Sequence, residues 1–190
     1  QAQIRAVVDY ARRRNITVIP EIEMPGHSVA AIAAYPELSC SKKQVAVTTA
    51  WGVHKNIDCV GDEGTFTFLE HVLDEVLPLF PSPYVHIGGD ETPKVAWHEC
   101  ASCQALMHRL GLKDEEGLQS YFIKRIQRYL ESKGKTMICW DEILEGGADK
   151  NAVIEVWRGP DEGRKALANG NRIINASPYY LDTPRPKLST

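Results

Sequence analysis

Apolar residues in this chain follow two different patterns. Helical patterns, three of them with an apolar residue every three or four positions, run through residues 1–15, 65–80, 117–134 and 160–170. Short apolar runs lie between and after these segments, at residues 16–22, 84–89, 135–140, 152–157 and 172–177. The run at 16–22 is continuous, which is typical of a strand buried on both faces. The pattern therefore predicts five strands, most of them separated by helices.

Strands that alternate with helices predict an α/β fold in which the helices lie outside a parallel sheet. Both an open doubly wound sheet and a barrel satisfy this pattern. The turn after the second strand, "HIGGDE", lacks the GxGxxG spacing of a dinucleotide-binding fold. A polar, turn-rich stretch from about residue 23 to Gly64 carries no regular pattern, and we expect it to be a long loop.

Composition excludes several classes of partner. The chain has 190 residues, 43% hydrophobic and 25% charged, with a net charge of −3. Lys and Arg are dispersed, which argues against a nucleic-acid interface. No apolar run approaches the roughly 20 residues that span a bilayer, so we expect no membrane segment. We find no signal peptide, and the chain opens inside a helical pattern, as a piece of a longer protein would.

The five cysteines leave their chemistry open. Cys100 and Cys103 form a CxxC, but a zinc site usually needs a second such pair or a close pair of histidines, and neither is present. A disulfide or unpaired thiols are the favoured interpretation, and a Cys40–Cys59 bridge would suit an exported protein. Because the total is odd, at least one thiol stays unpaired, and Cys139 in an apolar strand is the candidate.

Polar and aromatic residues follow every predicted strand. The segments are "EIEMPGH", "GGDE", "WDE", "WRG" and "SPYYLD". Parallel α/β proteins build their sites from the loops at the carboxyl ends of the strands. We therefore expect these five segments to converge on one pocket.

Asp90 and Glu91 are the strongest candidates for chemistry. Adjacent side chains on an extended chain point to opposite faces, so one acid could enter a pocket while the other is held by the scaffold. Gly88 and Gly89 permit unusual backbone angles beside a ligand. The competing interpretation is that one acid only caps a turn. His27 is either a loop histidine or a partner that tunes a nearby acid by hydrogen bonding.

The remaining candidates have structural alternatives of similar weight. Trp140 and Trp157 end strands and could be core residues or flat walls for a sugar ring. Tyr180 and Asp182 could hydrogen-bond a polyhydroxylated ligand or lie in a surface turn. Asp141 and Glu142 form a second acid pair, for which we favour a structural role such as bonding loop amides.

These motifs, in this order, resemble the catalytic domain of the family 20 glycoside hydrolases, the β-N-acetylhexosaminidases. The motifs are "VIPEIEMPGHS", "HIGGDE", "WDE", "VWRG" and "SPYYLD", and the resemblance covers nearly the whole chain, residues 1–190. It implies a (β/α)8 TIM barrel and removal of terminal β-linked N-acetylglucosamine or N-acetylgalactosamine with retention. The substrate's own acetamide is then the nucleophile, so the enzyme supplies none.

The resemblance also implies a role for each candidate and no cofactor or metal. Glu91 is similar to the general acid and base, and Asp90 to the residue that orients the acetamide. Tyr180 resembles the acetamide-oxygen donor, and His27 the histidine coupled to the acid. Trp140 and Trp157 are implied as walls of the acetamide pocket, and Asp182 as a ligand of sugar hydroxyls.

Residues that the family places on its first two strands and its last strand have no counterpart here. We therefore expect a partial barrel, about strands 3–7 of eight, that shows little or no activity in isolation. The family's substrates, N-acetylhexosamine-containing oligosaccharides or glycoconjugates, favour an exported protein, in the bacterial periplasm or at the cell surface rather than in a lysosome. The sequence carries no signal for an oligomeric state.

Two other functions remain open from the sequence. One is a metal-dependent barrel hydrolase that uses His27, His86, Asp90 and Glu91. The separation of the two histidines on different strands, with His86 inside its strand, argues against it. The other is a non-catalytic relative that binds N-acetyl sugars, which the presence of Asp90, Glu91 and Tyr180 argues against.

Overall fold

The order of the strands along the chain is also their order in the sheet. The computed structural model describes residues 1–177 and 179–180. In these residues the strands are β1 (Tyr84–His86), β2 (Thr136–Trp140), β3 (Val153–Val156) and β4 (Arg172–Asn175). They pair in parallel in the order β1-β2-β3-β4. In a doubly wound sheet the strand order reverses at a switch point. Here the strand order follows the chain without a reversal, as it does in the wall of a barrel.

Helices fill the connections between the strands. Those in the described residues are α1 (Ala2–Arg12), α2 (Val29–Ala34), α3 (Glu63–Val76), α4 (Val95–His98), α5 (Ala101–Leu110), α6 (Glu115–Ser132) and α7 (Pro160–Asn169). Short 3-10 turns occupy Pro36–Leu38, Leu77–Leu79 and Asp141–Leu144. No helix among the described residues is both long enough and apolar enough to cross a membrane.

Local sequence explains where the major helices begin and end. α3 follows Asp62, whose carboxylate accepts a hydrogen bond from the Gly64 amide at 2.9 Å. α6 follows Asp114, which accepts from the Gly117 amide at 3.0 Å. Such caps satisfy amides that have no partner inside the helix. α7 begins at Pro160 and ends before a left-handed Gly170, as its sequence predicts.

The two faces of the sheet differ in character. Alternate strand residues, including Val85, Met137 and Ile154, pack into the apolar core formed with the helices. Phe66 of α3 and Phe122 of α6 meet in this core, with ring centroids 5.3 Å apart. The intervening strand positions carry His86, Ile138, Trp140 and Glu155 on the opposite face. The helix-free face is therefore the more polar one, which suits a barrel interior.

Two predictions about secondary structure were wrong. The segment 16–22 forms only an isolated parallel bridge, Glu21 with His86, and Ile16 and Ile19 are 57% and 39% exposed. Within residues 1–177 and 179–180, β1 is the one strand that it pairs with, and Pro20 has no amide hydrogen to extend a ladder. The segment 23–64 was expected to be a loop, but it contains α2 and the start of α3. The helices α4 and α5 were also missed, because the first is very short and the second is weakly amphipathic.

Candidate active site

The carboxylates of Asp90 and Glu91 meet the His27 ring just beyond the end of β1. The His27 Nε2 atom lies 3.4 Å from Asp90 Oδ2 and 3.4 Å from Glu91 Oε2. The side chains are 30%, 16% and 38% exposed for His27, Asp90 and Glu91. The first and second predicted strand ends therefore converge, and the site stays open to solvent.

The backbone, rather than strand alternation, sets the directions of the two acids. The expectation that they point to opposite faces was wrong, because both carboxylates approach the same nitrogen. Glu91 has φ of +43° and His27 has φ of +51°, so neither residue is extended. Side chains other than glycine rarely adopt this left-handed region, and it costs about 1–3 kcal/mol where it occurs. Two left-handed residues, one in each of two segments, thus help to gather the three polar groups.

Glu23 is a residue of the site that the sequence analysis did not single out. Burial raises the pKa of its carboxyl to about 9, and the negative charge of Asp90 contributes in the same direction. Gly88 makes this placement feasible, since a Cβ there would lie 1.7 Å from Glu23 Oε2. Its position two residues after Glu21, on the same side of an extended segment, is a signal that could have revealed it.

Glu91 and Glu142 line the same open pocket of about 350 Å³. Val53 of the long segment before α3 contributes to its wall, as do Lys94 and Arg158. Burial raises the pKa of the Glu142 carboxyl. Each of the two acid pairs, Asp90–Glu91 and Asp141–Glu142, therefore contributes one glutamate to this pocket.

The partner of Glu142 in the second pair, Asp141, is a scaffold residue. Asp141 is fully buried, and its carboxylate accepts hydrogen bonds from the Trp157 and Arg158 amides at 2.9 and 3.1 Å. The Arg158 guanidinium pairs with the same carboxylate. These contacts are the bonds to loop amides that we expected of this pair.

The predicted aromatic residues fall into two groups. The Trp157 indole donates from Nε1 to Glu142 at 3.0 Å, and its ring centroid lies 6.4 Å from that of Tyr180. The Trp140 indole donates to Glu21 at 3.1 Å. Asp182, the last predicted site residue, lies outside the described residues.

His86 belongs to the sheet face rather than to the acid pair. Its ring lies 4.9 Å from that of Trp140 and between the carboxylates of Glu21 and Glu155, at 3.2 and 3.6 Å. Its contact lowers the pKa of Glu21. His27, Asp90 and Glu91 could together hold a metal ion, since their ligand atoms lie within 4.8 Å of one another, but His86 is not in that group.

Comparisons with known proteins show the family to which this chain belongs. The profile of "Glycosyl hydrolase family 20, catalytic domain" matches residues 1–190. A "Beta-hexosaminidase" from Porphyromonas gingivalis is 50% identical over 186 residues, which are 96% of this chain and 24% of that protein. The chain thus spans about a quarter of the length of this relative.

Solved structures of similar fold include two bacterial proteins. The β-N-acetylhexosaminidase of Bacteroides fragilis superposes with a TM-score of 0.80 at 39% identity, covering 92% of this chain and 35% of that one. A Vibrio harveyi exo-β-N-acetylglucosaminidase, in complex with N-acetylglucosamine, gives 0.79 at 35% identity, covering 90% and 27%. These matches confirm the expectation of a partial (β/α)8 barrel.

Proposed function

The chain belongs to glycoside hydrolase family 20, and we propose that it supplies part of a retaining exo-glycosidase that removes terminal β-linked N-acetylhexosamines by substrate-assisted catalysis. Residues 1–190 are then one segment of a single barrel domain. The observation that carries the proposal is the meeting of Asp90, Glu91 and His27 beyond the end of β1, where Glu91 also lines an open pocket.

The placement of the two carboxylates supports a substrate nucleophile. Their facing oxygens lie within 4.8 Å of each other, and both belong to one turn. Ordinary glycosidases place two carboxyl groups on opposite sides of the bond, about 5–5.5 Å apart for retention and about 6.5–9.5 Å for inversion. Asp90 and Glu91 are neighbours in the chain and both approach His27 Nε2, so they do not flank a glycosidic bond from opposite sides as that pair does. Family 20 is a known exception to the two-carboxylate scheme.

In the first step, the acetamide oxygen of the substrate attacks the anomeric carbon while the bond to the leaving oxygen breaks. Glu91 gives its proton to that oxygen, and the sugar becomes a cyclic oxazolinium ion. Asp90 accepts a hydrogen bond from the acetamide nitrogen, which orients the nucleophile and stabilises the positive charge that develops there. Holding an internal nucleophile in line removes several kcal/mol from a barrier.

In the second step, Glu91 takes a proton from water as the water oxygen attacks the anomeric carbon. The carbon–oxygen bond to the acetamide breaks, and the N-acetyl sugar leaves with its original configuration. His27, which contacts both carboxylates, couples their positions and charges. Glu23, protonated at neutral pH, holds Asp90 without adding a charge.

The aromatic residues and the polar residues around them bind the sugar. Trp140 and Trp157 enclose the acetamide, with C–H groups packing on their flat faces. Tyr180 donates to the acetamide oxygen, and Asp182 accepts from sugar hydroxyls. The substrate class is an N-acetylhexosamine-containing oligosaccharide or glycoconjugate, like the N-acetylglucosamine bound by the Vibrio harveyi protein. An exported location, outside the cytoplasm of a bacterium, fits such substrates.

The test uses the full-length gene product and two substrates that differ in leaving group, the 4-nitrophenyl β-N-acetylglucosaminide and N,N′-diacetylchitobiose (chitobiose below). We expect Glu91→Gln to lower kcat/KM about 10²–10⁴-fold for chitobiose. The loss should be smaller for the nitrophenyl substrate, whose leaving group needs little protonation. Glu142→Gln is the matched control, since it changes the other glutamate of the same pocket. If Glu91→Gln lowered kcat/KM by the same factor on both substrates, the assignment of Glu91 as the general acid would be overturned.

Two other functions remain as outcomes of this test. The group His27, Asp90 and Glu91 also fits a metal-dependent hydrolase. Activity that a chelator abolishes at a temperature where the protein stays folded, and that a divalent cation restores, would favour that reaction. Binding of N-acetylglucosamine without turnover would favour a sugar-binding relative.

A further inference from the structure

Four of the five cysteines meet at one place, although the outermost two are 63 positions apart in the chain. Cys40 follows the 3-10 turn at Pro36–Leu38, and Cys59 precedes α3. Cys100 and Cys103 lie at the start of α5. From the sequence alone we favoured a disulfide or unpaired thiols, because no second CxxC is present to complete a zinc site. Folding supplies a second pair, because it brings Cys40 and Cys59 onto the CxxC.

The four sulfurs are closely spaced. Three pairs, Cys40–Cys103, Cys59–Cys100 and Cys59–Cys103, each have Sγ atoms 3.8 Å apart. All four Sγ atoms lie within 4.8 Å of one another. A disulfide requires sulfurs at about 2.05 Å. A tetrahedral zinc ion with Zn–S bonds of about 2.3 Å places its sulfur ligands about 3.8 Å apart.

We propose that Cys40, Cys59, Cys100 and Cys103, the cysteine cluster, bind one structural Zn²⁺ ion through four thiolates. Four sulfurs in a near-regular arrangement match the ligand number and ligand type that zinc prefers. No coordination position is left for water or substrate, so the ion serves the fold and not the chemistry. Ion binding releases the thiol protons to solvent and involves no change in oxidation state.

The surroundings of the cysteine cluster suit thiolate ligands. Cys59 and Cys103 are fully buried, while Cys40 and Cys100 are half-buried and leave a path for the ion. The Gly61 amide donates to Cys103 Sγ at 3.3 Å, and Ser102 Oγ lies 3.1 Å from Cys100 Sγ. Hydrogen bonds of this kind hold metal ligands in place.

Gly61 explains how the two halves of the cluster approach each other. A Cβ at this position would lie 2.4 Å from the Cys103 amide nitrogen and 2.4 Å from the Ser102 carbonyl carbon. The chain after Cys59 therefore contacts the first turn of α5 directly, and only glycine allows it. This close approach depends on backbone, not on flexible side chains.

The ion would fix the long segment between Cys40 and Cys59. Both ends of this segment are ligands, and its residue Val53 reaches the pocket wall that contains Glu91. Because a metal cross-link restrains a loop much as a disulfide does, the ion stabilises the fold and positions one wall of the pocket.

The test measures metal and thiols in the full-length gene product purified without chelators or added metal. Plasma mass spectrometry counts zinc per chain, X-ray absorption identifies its ligands, and non-reducing peptide mapping detects disulfides. Cys100→Ser removes one half-buried ligand, and Cys139→Ala is the control, because Cys139 is a buried thiol outside the cluster. Thermal unfolding of the wild-type protein with and without a chelator tests the same proposal and does not depend on whether a variant folds.

We expect about one zinc per chain with four sulfur ligands at about 2.3 Å. Cys100→Ser should lose the zinc, Cys139→Ala should keep it, and the chelator should lower the Tm of wild type. Two disulfides, four free thiols without metal, or iron in place of zinc would each overturn the proposal. Zinc bound by nitrogen and oxygen would do so as well, since it would place the ion at His27, Asp90 and Glu91.

Discussion

The acid site and the cysteine cluster both gather polar groups from distant parts of the chain, but they do so in opposite ways. The acid site is open to solvent and uses left-handed backbone at His27 and Glu91. The cysteine cluster is mostly buried, and its close approach depends on Gly61. A site that must admit a substrate and move protons accepts exposure and backbone strain. A cross-link needs only fixed distances.

This comparison predicts separable failures. Changes at the acid site should reduce turnover and leave stability intact. Changes at the cysteine cluster should reduce stability and leave the turnover of folded molecules nearly intact.

The largest effect is expected for Asp90→Asn in the full-length gene product. The variant keeps the shape of the side chain but loses the charge that, in the proposed mechanism, stabilises the acetamide nitrogen, so kcat should fall about 10²–10³-fold. Steady-state kinetics and thermal unfolding measure both sides of the comparison. If the loss of kcat came with a large fall in Tm, Asp90 would act through the stability of the fold and not through the reaction.

A smaller, purely structural effect is expected for Gly61→Ala. The new methyl group collides with backbone of Cys103 and Ser102, and overpacking of this kind costs about 1–3 kcal/mol of the free energy of unfolding. Urea unfolding measures the loss. Gly117→Ala is the control, since a Cβ there makes only ordinary contacts, the nearest at 3.6 Å. Equal stability of the two variants would contradict the tight approach at Gly61.

The smallest effect is a change in the pH dependence of stability for Glu23→Gln. The pKa of Glu23 is raised from 4.5 to about 9 by burial and by the charge of Asp90, with Glu21 also adjacent. The folded protein therefore holds a proton that the unfolded chain has lost, and stability falls as pH rises between these two values. The slope is at most about 1.4 kcal/mol per pH unit, and lower here because water screens a half-buried group.

Glutamine mimics the protonated acid and does not titrate. Urea unfolding at pH 5, 7 and 9 should therefore show wild type losing stability relative to Glu23→Gln as pH rises. The difference between the two proteins isolates Glu23 from other titrating groups, such as Asp58, whose pKa burial raises to about 8. Parallel curves would mean that Glu23 is ionised in the folded protein.

The sequence predicted the acid site because each of its residues follows an apolar run, although the run before His27 forms a single bridge to β1 and not a full strand. Strands and their carboxyl ends are marked by local apolar runs, so the sequence alone places His27, Asp90 and Glu91 at one edge of the sheet. Their common approach could not be foreseen, because it depends on positive φ at two residues that carry side chains.

The cysteine cluster could not be predicted in the same way. Cys40 and Cys59 lie in segments with no periodic pattern, and the helix that carries Cys103 was missed. Only long-range packing fixes the distances between these thiols. Glu23 escaped notice for a related reason, since its burial depends on the missing side chain of Gly88.

In the proposed mechanism the substrate's acetamide, held by Asp90, is the nucleophile. The most direct measurement is kcat/KM of the full-length gene product on a series of 4-nitrophenyl glycosides. In this series the acetamide methyl carries zero, one, two or three fluorines. Fluorine draws electrons from the acetamide oxygen with little change in size, so kcat/KM should fall with each fluorine added. A rate that does not depend on fluorine content would contradict the claim and require a nucleophile from the protein or from water.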